Sequence, residues 1–226
     1  MLVSDVFFDL DHTLWDFEKN SALAFETIFE KHKIEVPLQE FLKYYVPINL
    51  KYWEWFRNET IDQSQLRYGR LKETFDLLGF EIEEEKILFL SQEYIVYLPQ
   101  FNYLFDGAIA ILDYLKPKYN LHIITNGFQE IQNNKLKNAN IGHYFQTVTN
   151  SEMAGVKKPN PKIFEYALRQ ANAVKIDSVM IGDCLEADVI GALDFGMDTI
   201  FFNTNGVAIQ QHVKQVSNLL QLKEYL

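Results

Sequence analysis

Val6-Phe7-Phe8-Asp9-Leu10-Asp11-His12-Thr13 carries an apolar run into two carboxylates spaced two residues apart. A buried strand that ends in Asp-x-Asp delivers its chemistry to the carboxyl edge of a sheet, where ligands bind in open α/β folds. Like charges this close repel unless a cation, a proton or hydrogen-bond donors compensate them. The economical reading is a nucleophile beside an acid/base, bridged by Mg²⁺. Taken alone, the pattern equally describes a strand end followed by an Asx-turn or a helix N-cap.

Three later segments bear on the choice. His122-Ile123-Ile124-Thr125-Asn126-Gly127 is a second apolar run ending in small polar residues. Thr125, Asn126 and the N–H groups after them suit an anion at a strand-to-helix turn, although Asn-Gly is also a common turn signal. Gly155-Val156-Lys157-Lys158-Pro159-Asn160-Pro161 sets two lysines before a proline that restricts the residue ahead of it. Lys162 to Ala171 then reads as a helix with Ile163, Phe164, Ala167, Leu168 and Ala171 on one face. Ser178-Val179-Met180-Ile181-Gly182-Asp183-Cys184-Leu185-Glu186-Ala187-Asp188 is a buried strand, a turn glycine and two more aspartates. Preference for acids near a helix N-terminus explains one of those aspartates, but not four carboxylates at two strand ends.

In this order the four segments resemble the motifs of the haloacid dehalogenase superfamily, and the resemblance spans essentially the whole chain. It implies that Asp9 is the nucleophile and forms an aspartyl-phosphate, with Asp11 as the acid/base. It implies further that Thr125, Asn126 and Gly127 bind phosphate. Lys158 would balance charge on phosphate and Asp9, while Asp9, Asp183 and the Asp11 carbonyl hold Mg²⁺ and Asp188 orients Lys158 or the metal's surroundings. The family's lysine directly precedes proline, which favours Lys158 over Lys157. The dehalogenases that named the superfamily lack an acid/base at the Asp11 position, so this chain looks like a phosphatase or phosphomutase. Cys184 reads as a small space-filler, because no nearby histidine activates it.

Five runs read as strands: Val3 to Phe8, Leu121 to Thr125, Thr147 to Thr149, Val179 to Ile181 and Thr199 to Phe202. The resemblance implies a doubly wound Rossmann-like parallel sheet in the order 5-4-1-2-3. Residues 15–99 show few glycines and helical spacing such as Ala22, Phe25, Phe29 and His32. They are expected to form an inserted helical cap on a catalytic core of residues 1–14 and 100–226, punctuated at Pro37, Pro47 and Gly79, with a return hinge near Leu98-Pro99. A cap of this kind excludes water during phosphoryl transfer. Tyr52, Trp53, Trp55 and their aromatic neighbours are cap core or a platform for a nucleobase, with Asn49, Arg57 and Arg70 as polar candidates beside them. The cap and the stretches Ile123 to Phe128 and Gly155 to Tyr166 resemble the noncanonical pyrimidine nucleotidases in particular. A nucleoside monophosphate is therefore the expected substrate, with sugar phosphates, small-acid phosphates or a phosphomutase reaction as alternatives.

Composition narrows the remaining classes. A formal net charge of −10 argues against binding nucleic acid polymers through counterion release. One cysteine permits no internal disulfide, which suits a reducing compartment. Absence of a signal segment and of any membrane-length apolar stretch leads to the expectation of a soluble, cytoplasmic protein. The sequence leaves the oligomeric state open.

Overall fold

The computed structural model describes residues 3–209 and 213–226. The chain forms two compact units. One combines the residues up to Phe17 with those from Asn102 onward, and the other is Glu18–Phe101.

The first unit is built on strands β1 (Asp5–Phe8), β2 (Asn120–Thr125), β3 (Thr147–Asn150), β4 (Ser178–Gly182), β5 (Asp198–Phe202) and β6 (Lys214–Val216). They pair in the order β3-β2-β1-β4-β5-β6, and every pairing is parallel. Strands covered on both faces need nearly continuous apolar sequence, and all of β1 and β4 is buried. The expected five-strand order holds, with a sixth strand added beyond β5. β6 escaped the sequence reading because Lys-Gln-Val is three residues long and exposes its first two positions.

Helices α1 (Phe17–His32), α2 (Leu38–Arg57), α3 (Gln63–Leu77) and α4 (Glu84–Tyr97) precede α5 (Ala108–Leu115), α6 (Gln129–Asn138), the short α7 (Ser151–Ala154) and α8 (Pro161–Ala171). A π-type turn, Leu185–Ile190, runs into α9 (Gly191–Phe195). At the start of α8 the Asn160 side chain accepts from Lys162 N, and Pro161 occupies the first turn, where its missing N–H costs nothing. The helix buries Ile163, Phe164, Ala167 and Leu168 against Phe7, Ile124 and Met180 of the sheet. Truncating Phe164 to alanine there would cost about 3–5 kcal/mol.

The second unit is helical. Phe25, Phe41, Tyr45 and Tyr94 form its buried aromatic centre, with Phe25 4.6 Å from Tyr45 and 4.5 Å from Tyr94 between ring centroids. Pro37 precedes α2 and Gly79 follows α3 in a left-handed conformation. Pro47, expected to punctuate the cap between helices, instead lies inside α2. Phe41, Tyr45, Ile48 and Phe56 are buried along that helix, and their packing outweighs the single lost backbone bond. Tyr52 and Trp53 are half-buried and Trp55 is exposed, while Trp15 belongs to the sheet unit and is fully buried.

Candidate active site

Parallel register brings the motif residues to one edge. Phe8 pairs with Ile123 of β2 on one side and Ile181 of β4 on the other, and Asp9 N donates to Ile181 O at 2.8 Å. Asp9, Thr125 and Asp183 therefore leave three adjacent strands at the same level. The chain after Asp9 does not enter a helix. Leu14 N and Trp15 N both donate to Leu10 O, and His12 N donates to Trp15 O, closing a tight loop in which His12 takes φ 62°. A non-glycine residue in that region stores about 1–3 kcal/mol.

Lys158 reaches this edge and Lys157 does not take its place. The Lys158 ammonium lies 2.5 Å from Asp9 Oδ1, donates to Ile124 O at 2.7 Å and sits 2.7 Å from Asp188 Oδ1. Burial pulls its pKa down most strongly, but the charges of Asp188 and Asp9 overcome that and hold it above the usual lysine value. Asn126 fixes the loop that carries it: its Oδ1 accepts from Lys158 N at 2.8 Å and its Nδ2 donates to Lys158 O at 3.0 Å. The Asn126 side chain is thus occupied with the lysine's backbone. Thr125 Oγ1, in turn, accepts from Gly127 N at 3.0 Å.

Asp183 and Asp188 complete the cluster. Asp188 Oδ2 accepts from Cys184 N, and Cys184 Sγ accepts from Ala187 N, so the cysteine caps the turn. A Cβ on Gly182 would stand 2.3 Å from the Asp188 carboxylate; only glycine lets that aspartate fold back behind the strand end. Thr13 Oγ1 donates to Asp183 Oδ1 at 3.0 Å. Burial, then the Asp188 charge, pushes Asp183 up to about 7. Burial likewise raises Asp9, with Lys158 opposing it and Asp188 and Asp183 adding to it.

The donor set fits a hard cation. Asp9, Asp183 and Asp188 each offer an oxygen within 4.8 Å of the others. With all three ionised against the Lys158 ammonium, two negative charges would remain in the crevice. Burial, with that charge adding to it, raises Asp9 and Asp183, and a divalent ion with oxygen preference would neutralise the charge. The Asp11 side chain stands apart from this group. Its Oδ1 receives Lys135 Nζ at 2.5 Å and its Oδ2 receives Gln132 Nε2 at 3.1 Å. Sequence reading missed Gln132, Lys135 and the Thr13 bond to Asp183. The available signal was on α6, where Gln132 and Lys135 share the buried surface of Ile131 and Leu136.

Residues 6–202 match the family model described as haloacid dehalogenase-like hydrolase, and the chain belongs to that family. It is a hydrolase of that family. It is 30% identical to pyrimidine 5′-nucleotidase YjjG of Escherichia coli K12 over 224 residues, covering 96% of each chain. It is 32% identical to a glyceraldehyde 3-phosphate phosphatase of Methanothermobacter thermautotrophicus, covering 100% of both. Among solved structures, HAD-hydrolase YfnB from Bacillus subtilis, bound to magnesium, matches with a TM-score of 0.89 at 26% identity, covering 100% of this chain and 99% of that one. Among the described residues no helix is long and apolar enough to cross a membrane.

Proposed function

We propose that this protein is a Mg²⁺-dependent phosphatase that hydrolyses nucleoside 5′-monophosphates, pyrimidine ones foremost, through an aspartyl-phosphate on Asp9. The observation that carries the chemistry is the buried Lys158–Asp9 contact at 2.5 Å, beside the Asp183 and Asp188 carboxylates, with Asp11 two residues further along the chain. Asp9 attacks phosphorus as the bond to the ester oxygen breaks, and the departing oxygen takes its electron pair and a proton from Asp11. Water then attacks the same phosphorus, giving its proton to Asp11, and the bond to Asp9 breaks to release phosphate. Lys158 screens the charge between nucleophile and phosphate throughout. Backbone N–H groups around Thr125, Asn126 and Gly127 orient the phosphate. Asp9, Asp183 and the Asp11 carbonyl would hold Mg²⁺, which when bound offsets charge on the phosphate oxygens.

Likeness to the YjjG nucleotidase over nearly the full length supports nucleotides as the substrate class, with the helical unit Glu18–Phe101 acting as the cap that selects the leaving group. A second reading, hydrolysis of a small sugar phosphate, is favoured by the equally long match to the archaeal glyceraldehyde 3-phosphate phosphatase. Phosphate release should be measured across nucleoside monophosphates, sugar phosphates and p-nitrophenyl phosphate for wild type, Asp9→Asn and Asp11→Asn. The expected result is fastest turnover on a pyrimidine monophosphate, none in Asp9→Asn and a large loss in Asp11→Asn. Preference for sugar phosphates over every nucleotide would reject the nucleotidase reading, and full activity in Asp9→Asn would reject the mechanism.

A further inference from the structure

Both carboxylate oxygens of Asp11 are gripped from one helix. Lys135 and Gln132, one turn apart on α6, donate to Oδ1 and Oδ2 respectively, and both side chains are 2% exposed. The Lys135 ammonium lies 4.1 Å from the centroid of the buried Trp15 ring and 5.3 Å from that of Phe17, so aromatic faces confine it from the other side. Trp15 in turn bridges to Asp11 through the backbone.

Two details argue that the arrangement serves Asp11 rather than the packing of α6. Gln132 reaches the carboxylate by lying across Gly127, where a Cβ would stand 1.7 Å from its Nε2. Moreover, a carboxylate can only accept from the amide, and turning Nε2 toward Asp11 leaves Gln132 Oε1 buried without a partner. An unsatisfied buried acceptor and a buried ammonium are both unfavourable, and apolar side chains would pack this position without either.

We propose that Lys135 and Gln132 are positioning residues that hold the Asp11 carboxyl group in the one orientation from which it passes its proton to the leaving oxygen. This inference rests on the phosphatase reading above. A proton donor must stand within hydrogen-bond reach of its acceptor, and displacement by about 1 Å can reduce the rate about 100-fold. Fixing both oxygens fixes the carboxyl plane as well as its position.

The test uses leaving groups of different need. As the phosphorus–oxygen bond breaks, an alkoxide must take the Asp11 proton, whereas p-nitrophenolate departs without it. For Lys135→Met and Gln132→Leu, kcat/KM is measured on p-nitrophenyl phosphate and on the alkyl monoester that wild type hydrolyses best. The expected loss is about 10- to 100-fold on the alkyl ester and under about threefold on p-nitrophenyl phosphate, with inhibition by inorganic phosphate unchanged. In an Asp11→Asn background either substitution should have no further effect on p-nitrophenyl phosphate. Equal losses on both esters, or losses that persist without the Asp11 carboxylate, would make the two residues structural and overturn the proposal, as would unchanged rates on both. Wild-type activity in Asp9→Asn would instead remove the phosphatase reading on which the proposal stands. Gln132→Leu keeps the question answerable if Lys135→Met does not fold.

Discussion

Thr13 and Asp183 meet across 170 positions of sequence: the threonine hydroxyl donates to Asp183 Oδ1 at 3.0 Å, while Thr13 itself is completely buried. The bond ties the loop after β1 to the loop after β4, and so fixes how Asp183 faces Asp9. Groups that orient a ligand matter nearly as much as the ligand.

Thr13→Val keeps the shape and removes the donor. Mg²⁺ affinity should fall about 10- to 100-fold, read from the concentration that restores activity after chelation, while Thr13→Ser retains most of it. Equal affinity in the valine variant would show that the bond does not orient the ligand.

Lys158→Ala should abolish turnover and destabilise the protein by about 3–5 kcal/mol, because it strands Asp9 and Asp188 as buried unpaired charges. Lys157→Ala, at a half-buried position, should change stability by only about 0.5 kcal/mol. Urea unfolding with phosphate-release assays reads both, and the opposite ranking would move the charge-balancing role by one residue.

Chelation should stop phosphate release and Mg²⁺ should restore it. Saturating Mg²⁺, at about 100 times its dissociation constant, contributes about 2.7 kcal/mol, which raises the unfolding temperature of the sheet unit by about 5–10 °C. The shift should be much smaller in Asp183→Asn. Undiminished activity in metal-free buffer would exclude a catalytic ion.

His122 is buried between Asp5 and Thr147 and stacks on Phe7 at 4.6 Å. Burial lowers its pKa and the Asp5 carboxylate only partly offsets this, so the fold favours the neutral ring. Its stabilising contribution is complete above the unfolded value of about 6.5 and is lost as pH falls toward the folded value. The urea midpoint of wild type should therefore drop between about pH 7.5 and 5.5 more than that of His122→Gln. Parallel pH profiles would locate the acid sensitivity elsewhere.

On the proposed function, selectivity is expected to reside in the helical unit, because the proposed chemistry at the motif residues is common to all phosphate monoesters. Tyr52→Ala and Trp53→Ala should raise KM for pyrimidine monophosphates while sparing p-nitrophenyl phosphate. Tyr52 also packs so closely on α3 that a Cβ at Gly69 would meet its ring at 2.3 Å. Equal loss on both substrates with lower thermal stability would assign these rings to packing.

The sequence was most readable where physics is local. Strand ends were marked by apolar runs halting at polar residues, as at Phe8-Asp9 and Ile181-Gly182-Asp183, and those halts carried the site with them. Pro47 misled because the burial that sustains α2 depends on residues around it, and β6 was too short and too polar to show a period. The Lys135 and Gln132 contacts to Asp11 span 124 and 121 positions. No spacing rule reports such a distance. Asn126 was read as an anion ligand because its position after β2 was visible, while the Lys158 backbone it clasps lies 32 residues away.

Lys158 hangs from a main-chain carbonyl of β2 as well as from two carboxylates. A cation suspended from three points stays where it is when one of them changes. If Asp9 gives up its charge on becoming an acyl phosphate, the Ile124 carbonyl and Asp188 remain as partners of the ammonium. On the proposed mechanism, the crevice would then present the same positive charge to an incoming water as to an incoming substrate.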